Sequence, residues 1–421
     1  MSKRKYLKFC LELVFILLII MGGLKVLENR KYGRLIDADE VAWIFGGYYF
    51  NLYFLHFDLF HEDWNDYEAF DHPPLGKYIV GGSLYLKGYT IDSLGPKRFW
   101  NNIPLTEIPK NYLKYFDLVK DQIPNPTVVV PFTRSVIFLF ALSSLLLIYI
   151  FVRTFYGVLP AFISLLLIIS SPIFYYVSVW ILAEPILLFF YALFILFCGF
   201  YLKSLKNIYI LFAFIVSSLA FLTKLNGMLL VFMLMTLFLI KNKFSISKQD
   251  SKFLILGFIA FLLISVFLNP VFLNSGIKAI GKMIEVRLTA FRQFQETFKE
   301  IALLSISDRF MTAAKMIFFK YSSSYQFIKI PVEFILFIIG IYYIFRKKDL
   351  LLITVFVFLV VIPISILPHN TPKYFYWIFP FIYMIASLSV NLFKEMLGKK
   401  DRRFLKSETP RPRLPKEGTG G

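Results

Sequence analysis

From Phe132 to Phe393 the chain alternates strongly apolar runs with short polar joints, and this pattern leaves few folds open. About 20 consecutive apolar residues are what a helix needs to cross a bilayer. On that measure the candidate spans are Phe132–Val152, Val158–Val177, Pro185–Leu202, Ile208–Leu222, Gly227–Ile240, Phe253–Leu273, Val332–Phe345, Leu350–Leu367 and Tyr374–Phe393. A further run from about Leu7 to Leu27 brings the number to roughly ten. Composition agrees: 58% of the 421 residues are hydrophobic and 17% charged, against roughly 25% charged in a soluble domain. The expected class is an all-α integral membrane protein.

The first run follows Lys3, Arg4, Lys5 and Lys8. A signal peptide is the alternative, but Gly22 and Gly23 lack a small-x-small cleavage pattern and apolar residues continue to Leu27, so an uncleaved spanning helix is preferred. With the N-terminus cytoplasmic, the inside joints are those at Arg153, at Lys203 and Lys206, at Lys241 to Lys252, at Arg346 to Lys348, and the tail from Lys394. Each is basic, as the positive-inside rule requires. The net charge of +19 is accounted for by these clusters and the tail, which fits a membrane topology better than a phosphate-tracking face, so no nucleic-acid partner is expected. Cys10 and Cys198 lie in apolar runs without metal-ligand spacing, so no disulfide framework is indicated.

The expected organisation is therefore a multispanning membrane domain over residues 1–393 and a basic, disordered cytoplasmic tail over 394–421. Two long loops, 28–131 and 274–331, face outward. In the first, Val41–His56 and Leu75–Tyr89 are expected as interfacial helices, and the proline-rich stretch Thr90–Pro131 as an irregular, exposed insert. The second contains IGKMIEVRLTAFRQFQETFKE, whose three-and-four apolar spacing predicts an amphipathic helix on the membrane, with Arg287 on its solvated face.

Titratable residues gather at span ends on the outer side. Asp37, Asp39 and Glu40 follow the first span, and DHPPLGK at Asp71 to Lys77 sets a carboxylate, an imidazole and a lysine around two prolines. Proline is well tolerated at the start of a helix, so this motif alone is equally a helix start. Glu184 precedes Pro185 at a span start, where a negative charge is favourable in any case. Arg134 and Lys373 sit at span ends, where snorkelling to headgroups is the plain alternative. Lys224 lies in an outer turn without neighbouring basic residues, against the charge bias.

Together these motifs resemble the polyprenyl-phosphate-sugar glycosyltransferases of the GT-C fold, especially the protein O-mannosyltransferase and aminoarabinose transferase group. The resemblance rests on Asp39-Glu40, HPPLGK at 72 to 77, Arg134, SPIFYYVSVWILAEPILLFF with Glu184, TKLNG with Lys224, and PKYFYWIFPF with Lys373. They occur in the family's order across most of the chain. The resemblance implies that Asp39 is the catalytic carboxylate, with Glu40 beside it, and that the active site is extracytoplasmic. Where the family often has Asp, this chain has Glu184; His72-Pro73-Pro74 replaces the Lys-Pro-Pro of the aminoarabinose branch.

The chemistry follows from the donor. A lipid-phosphate sugar loses its phosphate as a stable anion, so one carboxylate base and cations on the phosphate suffice, whereas a glycosidase needs two carboxylates. Asp71, His72, Lys77, Arg134, Glu184, Lys224 and Lys373 are the expected substrate-binding residues, Arg287 a further phosphate candidate, and Asp39 and Glu40 the catalytic pair. No cofactor is required. A divalent metal among His56, His61, His72 and nearby acids finds little support, because tight ligand spacing is missing. The expected function is inverting transfer of a sugar from a polyprenyl-phosphate donor to the hydroxyl or amine of a protein, lipid or glycan acceptor. The rival is a transporter or flippase of lipid-linked intermediates, which would favour mid-span charges and paired broken helices.

Overall fold

The computed structural model describes residues 12, 21, 38–92, 122–243, 248–297 and 299–397. Asp37, nearly all of the first apolar run, most of the proline-rich stretch and the tail beyond residue 397 lie outside the described residues. The first loop supplies α1 (Ala38–Gly46), α2 (Tyr67–Asp71) and α3 (Leu75–Tyr85). After it come α4 (Pro126–Phe155), α5 (Val158–Ser170), α6 (Pro172–Val177), α7 (Ala183–Ser204), α8 (Ile208–Thr223), α9 (Met228–Lys241) and α10 (Lys248–Phe267). The second loop carries α11 (Lys278–Thr297) and α12 (Ile306–Lys315), followed by α13 (Val332–Lys347), α14 (Leu350–Phe356), α15 (Pro372–Tyr376) and α16 (Phe379–Ser387). No strand forms among the described residues, only an isolated antiparallel bridge between Ala302 and His369.

The all-helical membrane architecture is as expected. Among the described residues, four helical stretches are long and apolar enough to cross a bilayer: Pro126–Phe155, Ala183–Ser204, Asp250–Phe267 and Pro372–Leu397. Val158–Ser170, Ile208–Thr223, Leu225–Lys241 and Leu350–Ser365 are shorter apolar helices. Helix α7 packs between α4 and α8, α8 leans on α10, and α16 is held between α5 and α13. The apolar window of Pro372–Leu397 is 89% buried and that of Asp250–Phe267 only 17%. The last helix is thus a central post, while α10 presents Ile255, Phe258, Leu262 and Leu263 outward, as a lipid-facing helix does.

Prolines correct three expected boundaries. The apolar run Val158–Val177 is not one helix: it ends at Ser170 and restarts at Pro172, because a residue preceding proline is driven out of the α region. Ser171 accordingly lies at φ −71°, ψ 125°. The run expected to reach Leu273 ends at Phe267 and restarts after Pro270. Conversely α4 begins at Pro126, not Phe132, with Asn125 in the left-handed region before it. The last residues of the proline-rich stretch are therefore helical, with Pro131 inside the helix. Proline at the first helical position sacrifices an N–H that has no intrahelical acceptor anyway.

The first loop is folded onto the membrane helices. Val41, Ile44 and Tyr49 are fully buried, and α3 lies so close against the segment 46–50 that a Cβ on Gly81 would run into Gly47 and Phe50. Tyr53 and Tyr78 donate to the carbonyls of Phe267, the last residue of α10, and Leu268, the next. Helix α11 packs against α2.

Candidate active site

Asp39 and Glu40 occupy the first turn of α1, where the helix dipole favours acidic residues. Neighbouring helical positions point about 100° apart, and the two carboxylates diverge accordingly. Glu40 is fully buried. It accepts Arg134 Nε at 2.9 Å on one oxygen and Arg134 Nη2 at 2.7 Å on the other, while the Ile181 N–H donates to it at 3.1 Å. Arg134, on α4, is itself 2% exposed. The pair therefore ties α1 to α4 and to the turn before α7, and the two residues face each other instead of an open surface.

Asp39 instead remains 28% exposed and is ion-paired with Lys373 of α15. Burial alone would raise the Asp39 carboxyl, but Lys373, then Lys224 and Arg287, outweigh it and hold the group below the usual carboxylate range. Asp39 is thus a carboxylate at neutral pH. Lys224, just after α8, donates at 2.6 Å to Glu184 in the first turn of α7, both groups being buried. The Lys224 ammonium also stands 5.4 Å from the centre of the Tyr374 ring, next to Lys373. Ends of α1, α7, α8 and α15 converge here.

The DHPPLGK motif closes one side. Arg287 of α11 donates to Asp71 at 2.7 Å, and its Nη2 lies 3.3 Å from His72 Nε2. The same Nε2 lies 3.5 Å from Asp71 Oδ2, so the imidazole stands between the guanidinium and the carboxylate. Burial, reinforced by Arg287, Lys224, Lys77 and Lys373, pushes the imidazole well below its ordinary value and keeps it neutral. The ring rests against Trp43 of α1 at 5.2 Å. Lys77 does not point to these groups: it is 4% exposed and donates to the carbonyls of Glu68 and of His72, the latter at 3.0 Å.

Of the residues expected to bind substrate, Asp71, His72, Glu184, Lys224 and Lys373 thus gather around Asp39, while Arg134 and Lys77 are engaged inside the protein. Arg287 is the correction. Expected on a solvated face, it is directed into the site at 18% side-chain exposure. The signal was present in the sequence, since Ala279, Met283 and Arg287 recur at four-residue spacing and the first two are fully buried. His369 received no role from the sequence. It is buried, contacts Thr371 Oγ1 through Nδ1 at 2.7 Å and the Tyr374 ring edge-on at 4.5 Å. Burial and the charge of Lys373 push it down to about 3, so it too is neutral. Among the described residues no group of three or more His, Cys, Asp or Glu side chains is placed to hold a metal ion.

The sequence profile of the dolichyl-phosphate-mannose-protein mannosyltransferase family matches residues 132–269, a stretch that includes Arg134, Glu184 and Lys224 but not Asp39, DHPPLGK or Lys373. Comparison with curated proteins found no match. Among solved structures, ArnT from Cupriavidus metallidurans matches in its apo state at 12% identity and a TM-score of 0.53. The same protein bound to undecaprenyl phosphate matches at 14% identity and a TM-score of 0.54. The chain has the GT-C fold. In both comparisons 90% of this chain is covered but 60% of the ArnT chain, so it spans less than two thirds of that protein's length. The GT-C likeness read from the ordered motifs is the one the fold bears.

Proposed function

We propose that this GT-C protein is an inverting glycosyltransferase that moves a sugar from a polyprenyl-phosphate donor to an acceptor hydroxyl or amine on the extracytoplasmic side. The observation that carries this reading is the setting of Asp39: a part-exposed carboxylate surrounded by Lys373, Lys224 and Arg287 where four helix ends meet. The family likeness over residues 132–269 and the undecaprenyl phosphate bound by the ArnT of similar fold support the donor class.

In this mechanism the acceptor lone pair attacks the anomeric carbon as its O–H or N–H proton passes to Asp39. The anomeric C–O bond breaks with its electron pair leaving on the phosphate oxygen. Cations aimed at that oxygen stabilise the transition state more than the ground state, because negative charge grows there. Lys373, Lys224 and Arg287 serve this purpose, and neutral His72 adds no competing charge. Each cation is balanced by a carboxylate before the donor arrives: Lys373 by Asp39, Lys224 by Glu184 and Arg287 by Asp71. A donor phosphate that draws Lys373 away frees Asp39 and raises its basicity, since the nearest positive charge is then shared. Glu40 and Arg134 hold α1 in place, a positioning role.

Incubation of the purified protein with a panel of polyprenyl-phosphate sugars, with mass-spectrometric detection of released polyprenyl phosphate and glycosylated acceptor, tests the reading. Release in wild type and its loss in Asp39→Asn are expected. Translocation of the intact lipid across a vesicle bilayer without cleavage would instead favour a flippase.

A further inference from the structure

We propose that Lys77 is a positioning residue that fastens the Asp71–His72 segment, so that both side chains meet Arg287 in register with the reacting groups; this rests on the transferase reading above. The need for such a fastening follows from the sequence. In an uninterrupted helix the Glu68 carbonyl would receive the His72 N–H, but a residue that precedes proline is driven out of the α region, and Pro73 follows His72. Helix α2 stops at Asp71, and His72 adopts an extended φ of −132° and ψ of 132°. The orphaned carbonyl end carries negative partial charge, which an ammonium satisfies well.

Lys77 supplies that ammonium from the first turn of α3. Its Nζ donates to the Glu68 and His72 carbonyls, one on each side of Asp71. Its third direction is covered by the Tyr49 ring, whose centre lies 4.8 Å away. The stem passes over Gly46, where a Cβ would lie 3.0 Å from Lys77 Cγ. The ammonium is thus spent within the protein, and the motif's lysine acts through the residues it holds.

Burial pushes Lys77 down to about 8, against the attraction of Glu68 and Asp71 and with some help from Arg287. The other groups facing it are Tyr49 from the segment after α1 and the neutral His72. Burial likewise raises Glu68 to about 7, with Lys77 opposing. A fastening that depends on the ammonium should therefore loosen as pH rises through about 8. Trp43 offers an optical probe that needs no turnover, because its ring lies against His72.

The experiment is a tryptophan-emission titration of the full-length protein in nanodiscs from about pH 7 to about 9.5. Wild type is compared with Lys77→Met, Gly46→Ala and, to isolate the Trp43 signal, Trp43→Phe. A Trp43-dependent change with a midpoint near 8, absent in Lys77→Met, is expected. Lys77→Met should also lose at least about tenfold in transferase kcat/KM, the scale of one charge-assisted hydrogen bond. Should Lys77→Met not fold, Gly46→Ala decides. Alanine is the better helix former, so this variant should fold, shift the midpoint and lower turnover several-fold by displacing the lysine stem. A flat wild-type titration, or full turnover with an unshifted midpoint in Gly46→Ala, overturns the proposal. So does a rise of the midpoint by more than about one unit on saturation with undecaprenyl phosphate, which would mean that Lys77 touches phosphate itself. Titration without any transferase activity would leave the fastening in place and remove the transferase reading.

Discussion

Replacing Arg134 by Met should destabilise the fold first and impair donor binding only in consequence. The side chain is 2% exposed and its Glu40 partner is fully buried. Its Nε and Nη2 donate to that carboxylate at 2.9 and 2.7 Å. Removing the cation leaves a buried anion that still accepts the Ile181 N–H but has lost its charged partner. Breaking a buried pair in this way costs about 3–5 kcal/mol. For a large domain, where each kcal/mol moves Tm by about 2–4 °C, that is a fall of roughly 6–20 °C. Glu40→Gln combined with Arg134→Met should recover most of the loss, since the orphan charge is gone. Thermal unfolding in nanodiscs at one fixed scan rate, over the full double-mutant cycle, measures the coupling. An Arg134→Met protein with unchanged Tm and weakened donor affinity would refute this reasoning and return Arg134 to the phosphate.

Asp39→Asn should fold normally and lose roughly 10²–10⁴ in kcat, the usual value of general-base help, or about 3–5 kcal/mol at 1.36 kcal/mol per decade; single-turnover kinetics on bound donor provide the check. Lys373→Met should weaken donor binding and also move the acid limb of the kcat/KM profile upward. Lys373 lowers the Asp39 carboxyl, so its removal raises that group, and activity, which needs the carboxylate, fails at a higher pH than in wild type. An unmoved acid limb would mean that another group titrates there. Cysteines placed one at a time at Asp92 and Lys243 in a cysteine-free background should react with an impermeant reagent from the outside only at 92, as the basic joints require; outside labelling at 243 would invert the topology.

Much of the site was legible because charge next to an apolar run stands out. Asp39, Glu184, Lys224 and Lys373 each flank such a run, and a carboxylate or ammonium there has to be solvated, paired or used. What could not be read was pairing. Arg134 and Glu40 are 94 positions apart and Arg287 and Asp71 are 216 apart, and nothing in one dimension links them. Lys77 misled for the opposite reason: its place in a motif suggested contact with substrate, whereas the carbonyls of Glu68 and His72, where α2 stops ahead of Pro73, claim it. Helix boundaries failed at prolines inside apolar runs, where hydropathy is continuous but the backbone is not, as at Ser171-Pro172.

The divergence of Asp39 and Glu40 has a mechanical consequence. Two acids side by side look like spares for one another, yet α1 cannot be turned to exchange them, because Glu40 is keyed into Arg134 like an index pin in a dial. A rotation of one residue's pitch would bring Glu40 to face Lys373 only by tearing that key from α4 and from Ile181. The neighbouring carboxylate therefore sets the bearing of Asp39 but cannot deputise for it. Exchanging the two, Asp39→Glu with Glu40→Asp, retains both charges while putting the longer arm beside Lys373 and the shorter one in the keyway.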